Sequence, residues 1–262
     1  SVHDQLAAIY DVAKMMPTEA SVIEALREKV DAYKAAEIVQ PQAGKYYQIV
    51  SASTYYRKQF EGSTMYQDGA QVRIHYTPQV EPEELWQFVE SGLSGVAAYK
   101  LQNVCSGELL AMNTYNAAVG MGGAPTNVRV DKATVATGKY DFIPGVVNIS
   151  AVDGYSATEK GSVKRLSAQV SGLVFAKDEA ALCYPGTWLL VEVEDFTAQL
   201  EGLVKKCKAI IRDAKPGEMD QPTEEALQYL QQQLIDRAEL TLKASGPVEK
   251  NVYEQYLDCY RT

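Results

Sequence analysis

From residue 46 to residue 194 apolar and polar positions alternate in short runs, and on either side they recur at helical spacing instead. The clearest alternating run is Glu84-Leu85-Trp86-Gln87-Phe88-Val89-Glu90. Two weaker echoes follow it, Lys139-Tyr140-Asp141-Phe142-Ile143 and Thr187-Trp188-Leu189-Leu190-Val191-Glu192, with aromatic heads at 86, 140 and 188. A second series, Tyr47-Gln48-Ile49, Tyr99-Lys100-Leu101 and Val147-Asn148-Ile149, steps by 52 and 48 residues. Two series of one period mark an internal three-fold repeat of about fifty residues.

Each copy holds four predicted strands: 46–52, 64–67, 71–76 and 84–90; then 98–104, 108–112, 127–132 and 139–143; then 146–152, 163–169, 173–176 and 187–194. Turn residues separate them, as at Asp68-Gly69, Ser106-Gly107, Asp153-Gly154 and Pro185-Gly186. Strands this short bury no face alone, so the pattern predicts twelve strands closed around a shared axis, without free edges. Gly120-Met121-Gly122-Gly123 lacks the Lys-Ser/Thr of a phosphate loop and reads as a plain loop.

The flanks are helical. Leu6, Ile9, Tyr10 and Ala13 form one apolar face, and Val22, Ile23, Leu26, Val30 and Tyr33 a second, stopped by Pro41 and Gly44. Beyond Asp195 three more stripes follow, starting with Phe196, Leu200, Leu203, Val204, Cys207, Ile210 and Ile211. Leu227, Leu230, Leu234, Ile235, Ala238 and Leu242 make the second, capped by Thr223. Val248, Val252, Tyr253, Tyr256 and Cys259 make the third. The expected organisation is a helical segment over 1–43, a closed β unit over 44–195 and an antiparallel three-helix bundle over 196–262.

A net charge of −9 argues against nucleic acid or an anionic membrane surface as partner. No apolar run approaches the ~20 residues of a bilayer-spanning helix. Cys105, Cys183, Cys207 and Cys259 have no metal-ligand spacing, and two histidines are too few for a zinc site, so neither metal nor cofactor is expected. Cys105 reads as a buried free thiol, while Cys207 and Cys259 lie on helices that a disulfide is able to join. No spacing singles out two carboxylates among 34, His3 is terminal, and His75 has no Ser or Cys near it in sequence, so no enzyme is expected.

Twelve strands in three units, each ending on a strand with an aromatic head, resemble a β-trefoil of the ricin-type lectin kind. That family's Gln-x-Trp is matched in place by Glu84-Leu85-Trp86, Gly138-Lys139-Tyr140 and Gly186-Thr187-Trp188; none keeps the Gln, and the middle copy has Tyr. The first copy, Met65-Tyr66-Gln67-Asp68-Gly69, Val72-Arg73-Ile74-His75-Tyr76 and Leu85-Trp86-Gln87-Phe88, is similar to trefoil modules of large Bacteroidetes surface proteins. The C-terminal helices resemble the FIVAR-like spacers of bacterial surface proteins. The resemblance implies an exported, cell-surface or extracellular segment, with its signal segment not in this chain. It implies non-catalytic binding of a glycan or polysaccharide in a pocket between the second and third strands of a repeat.

Such a pocket wants a carboxylate or amide for hydroxyls and an aromatic face for C–H groups. The first copy supplies Gln67, Asp68, His75 and Tyr76 as candidate carbohydrate-binding residues. The second has Asn113, Tyr115, Asn116 and Asp131, and the third Lys177, Asp178 and Glu179, with no aromatic at the matching place. The aromatic heads themselves read as core anchors with one polar handle. Tyr47 and Tyr66 are assigned to the sheet, whereas Tyr55, Tyr56 and Tyr76 are candidates for an exposed surface. Two alternatives stand beside glycan recognition: a spacer whose trefoil has lost its sugar pockets, and binding of another surface protein through trefoil loops near Tyr55 and Tyr56.

Overall fold

The computed structural model describes residues 24, 27–28, 31–32, 35–53, 62–76, 80–95, 97–133, 143–152, 164–177, 184–244 and 246–262. Its strands are β1 (Tyr46–Ser51), β2 (Thr64–Asp68), β3 (Gln71–His75), β4 (Leu85–Glu90), β5 (Tyr99–Asn103) and β6 (Leu110–Ala111). They continue as β7 (Gly120–Met121), β8 (Asn127–Lys132), β9 (Val147–Ala151), β10 (Leu166–Ala168), β11 (Val174–Ala176) and β12 (Trp188–Glu192). Strands β1, β4, β5, β8, β9 and β12 pair antiparallel in that order, and β12 returns to β1, so six strands close a barrel. The remaining strands form hairpins β2–β3, β6–β7 and β10–β11.

The hairpins meet through their second strands. Val72 N–H donates to the Val119 carbonyl at 3.1 Å, and Val119 N–H to the Val174 carbonyl at 2.8 Å. The fold is β-rich and trefoil-like. Alternation explains it: Tyr47, Ile49, Met65, Val72, Trp86, Phe88, Leu101, Leu110, Val128, Ile149, Leu166, Val174 and Trp188 all point into one buried cluster. The indoles of Trp86 and Trp188 are fully buried, and each N–H donates at 2.9 Å to a hairpin carbonyl, of Met65 and Leu166 respectively. Both are core anchors, their one polar atom satisfied inside the barrel.

Register corrects the reading of the second copy. Trp86 lies opposite Tyr47 and Asn103, Val128 opposite Tyr99 and Ala151, and Trp188 opposite Val147 and Ser51. Val128, not Tyr140, therefore takes the tryptophan's place, and β8, predicted as a third strand, is the fourth. The third is Gly120–Met121, inside the glycine stretch expected to be a loop. Two residues, one of them Gly, carry no alternation to read, so the series locked onto the aromatic further on. Residues 139–142 lie outside the described residues, as do the expected first helix, Tyr55, Tyr56, Asp178, Glu179 and Cys183.

After the barrel come α1 (Thr197–Asp213), α2 (Glu224–Tyr229), a π-helical stretch (Leu230–Ile235), α3 (Asp236–Lys243) and α4 (Lys250–Arg261). Thr223 caps α2, its hydroxyl accepting from Ala226 N–H at 3.2 Å. Asp195 accepts from Thr197 N–H at 2.9 Å and Val248 N–H at 3.2 Å, holding the starts of α1 and α4 together. The helices share one core with the barrel: Phe196, Leu200, Leu203, Leu234, Tyr253 and Leu257 pack with Tyr46, Leu85, Val104 and Cys105. Tyr46 donates to Glu254 at 2.7 Å, and Arg261 donates to the carbonyls of Val104 and Cys105. Cys105, Cys207 and Cys259 are free thiols, and burial pushes Cys105 and Cys207 up to about 11, which keeps them protonated and inert. Of the expected second helix, residues 24, 27–28, 31–32 and 35 are helical, and Lys132 Nζ donates to the Ala36 carbonyl just past it at 2.6 Å.

Candidate functional site

The hairpin β2–β3 turns at Gly69, whose φ of +55° lies in the left-handed region that side chains other than glycine's enter at a cost. Strand alternation sends Met65, Gln67, Val72 and Ile74 inward, and Thr64, Tyr66, Asp68, Gln71, Arg73 and His75 outward. On the outer face the Tyr66 and His75 rings stack at 3.9 Å between centroids and 13° between planes. Arg73, directly opposite Tyr66, pairs with Asp68 at 3.1 Å.

The stack is held from beneath. Glu84, only 2% exposed, lies 2.6 Å from His75 Nε2 and accepts from Gln48 Nε2 at 3.0 Å. Burial raises the Glu84 carboxyl above its ordinary value, and the His75 and Gln48 hydrogen bonds partly oppose that. The Tyr66 phenol is also raised, by burial first and then by Asp68 and Glu81, with Arg73 opposing. The stacked rings thus lie beside one ion pair, Asp68–Arg73, and over a buried carboxyl.

Of the residues predicted from sequence, Asp68 sits at the hairpin tip and His75 at its base. Tyr76 follows His75 and is 78% exposed, its ring edge beside Gly62. Asp68 faces Gln71, so roughly five strand residues, on the order of 16 Å, separate it from Tyr76. Gln67 lies on the opposite face, buried, donating to the Gly69 carbonyl at 2.9 Å and Glu108 at 2.5 Å and accepting from Ser106 at 2.6 Å. The hairpin brings Asp68 and His75 onto one face and turns Gln67 away from them.

Sequence reasoning missed Tyr66, Arg73, Glu81 and Glu84. The signal for two of them was present: in a two-residue turn register, Tyr66 and Arg73 share the parity of Asp68 and His75. Nothing local marks Glu84, which meets His75 only through the fold. The hydrogen-bonded register places Ala111 and Ser167 where the first copy has Tyr66, Gly120 and Phe175 where it has Arg73, and Gly122 and Lys177 where it has His75. In the second copy Asp131 lies on barrel strand β8, paired with Arg129 at 2.7 Å, away from its hairpin. Among the described residues no group of three or more His, Cys, Asp or Glu is placed to hold a metal ion.

No family model matches the chain, and no curated protein sequence matches it. Solved structures similar to it include the Rhizoctonia solani agglutinin, at 17% identity and TM-score 0.42 over 60% of this chain and 100% of that one. The designed three-fold symmetric protein ThreeFoil is 20% identical at TM-score 0.40, over 56% of this chain and 99% of its own. The Polyporus squamosus lectin bound to a human-type influenza-binding epitope is 13% identical at TM-score 0.41, over 69% and 60%.

Proposed function

We propose that the chain is a non-catalytic carbohydrate-binding module, built on a twelve-strand β-trefoil of the ricin type within an exported surface protein. Its site is the outer face of the hairpin β2–β3. The supporting observation is that this hairpin stacks Tyr66 on His75 beside the Asp68–Arg73 pair, while its two counterparts carry Ala111 with Gly120 and Ser167 with Phe175. A ring face takes the C–H surface of a sugar, and a carboxylate with a guanidinium takes its vicinal hydroxyls.

The test is a glycan array and polysaccharide pull-down with the full chain, Tyr66→Ala, and Asp68→Ala/Tyr76→Ala. Binding by the wild type and its loss in Tyr66→Ala would support the site. Binding retained in every variant would move the site off this hairpin. The residues in matching register in the second copy, Ala111, Gly120 and Gly122, carry neither ring nor charge and favour a second reading, a spacer with a degenerate trefoil. Failure of the wild type to retain any glycan would put that reading first.

A further inference from the structure

The stretch that sets Glu84 under the stack also forms one wall of a cleft against α1. Residues 80–83 line one side and Gly202, Lys205 and Lys206 the other, around about 310 Å³, within the ~300–1,000 Å³ of small-molecule sites. Gly202 sets its floor: a Cβ there would stand 2.2 Å from the Val80 carbonyl, so the helix backbone rests on the loop. Lys206 is half-buried, paired with Glu83, with its ammonium 5.9 Å from the centre of the Tyr260 ring.

The charges balance. Glu81 and Glu83 face Lys205 and Lys206 across the cleft, with Val80 and Pro82 as apolar wall. On the hairpin Asp68 meets Arg73. A net anion or cation entering either place meets as much repulsion as attraction. A neutral polyol, whose hydroxyls both donate and accept, suits both. Glu81 joins the two places along the chain: it lines the cleft beside Glu83, in the same short stretch that sets Glu84 2.6 Å from His75 under the stack.

We infer that this cleft is a second subsite, so that the ligand is a neutral oligosaccharide running from the Tyr66–His75 stack over Glu81 to Lys205 and Lys206. The inference rests on the carbohydrate reading of the hairpin and adds the helical layer to the site. Its probes are linear neutral oligosaccharides of the glucose, galactose and N-acetylglucosamine series, from monomer to hexamer, with matched hexuronate oligomers.

They are titrated calorimetrically into the wild type, Tyr66→Ala and Glu83→Gln/Lys206→Met. The double variant removes both partners of the ion pair, so neither is left buried and alone. Circular dichroism confirms that each variant folds. The expected result is wild-type affinity rising at least about tenfold from monomer to trimer. That rise should vanish in the double variant, which keeps monomer binding, while Tyr66→Ala loses both. Equal affinity at every length, or a rise surviving in the double variant, overturns the cleft and leaves the hairpin site standing. Preference for hexuronates overturns the neutral ligand. No binding of any oligomer overturns the cleft and the hairpin site together.

Discussion

Glu84 is a buried carboxylate held between His75 and Gln48, and its raised pKa makes it a pH-dependent element of stability. A group whose folded pKa lies above its unfolded value stabilises fully below the unfolded value, 4.5 here, and that contribution is lost as pH rises through the folded pKa. Glu84→Gln is neutral throughout and escapes that loss. The melting temperature of the variant should therefore gain on that of the wild type as pH is raised from about 4 to 7. Calorimetric scans across that range check it, and a constant or shrinking gap would show that the His75 hydrogen bond outweighs burial. None of this was legible locally, because Glu84 stands where a Gln-x-Trp would have Gln and only the fold brings His75 to it. Tyr66 was half legible: its place in a strand followed from alternation, but its outward side depended on the register of the hairpin.

At the scale of elements the helix α1 is set by Gly202. Alanine would gain about 1 kcal/mol of helix propensity over glycine. Its Cβ would stand 2.2 Å from the Val80 carbonyl, and moving the helix off the loop costs roughly 1–3 kcal/mol, or more where backbone must shift. Overpacking should win, so Gly202→Ala is expected to lower the urea midpoint with an unchanged slope. A raised midpoint would mean that the helix yields easily. In sequence this glycine is a weak spot inside an apolar stripe, and its purpose is the approach of another element's backbone. The hairpins divide the same way. Turn chemistry announced β2–β3 through Asp68-Gly69, whereas β7, two residues in a glycine stretch, had no pattern to show and takes its strand character from bonds to β3 and β6.

In the whole molecule the barrel and the helical layer share a buried cluster in which Tyr46, Leu85, Val104 and Cys105 meet Phe196, Leu200 and Tyr253. Cutting the chain after Asp195 would expose that face, at roughly 1.5–3 kcal/mol for each large apolar side chain. Residues 1–195 alone should then lose cooperative thermal unfolding, followed by near-UV circular dichroism; a sharp transition near the full-length temperature would show the barrel to be self-sufficient. Sequence by itself determined the period of about fifty residues, the inward rows of Ile49, Leu101 and Ile149, and the helical stripes after residue 195. These are properties of neighbouring positions, and side-chain periodicity writes them directly into the chain. Tertiary structure alone decided that Val128 stands in the place of the tryptophans, that Glu84 lies under His75, and that α1 closes a cleft beside the first hairpin. Those facts join residues from separate elements, and strand register and packing, which local alternation leaves open, determine which of them meet.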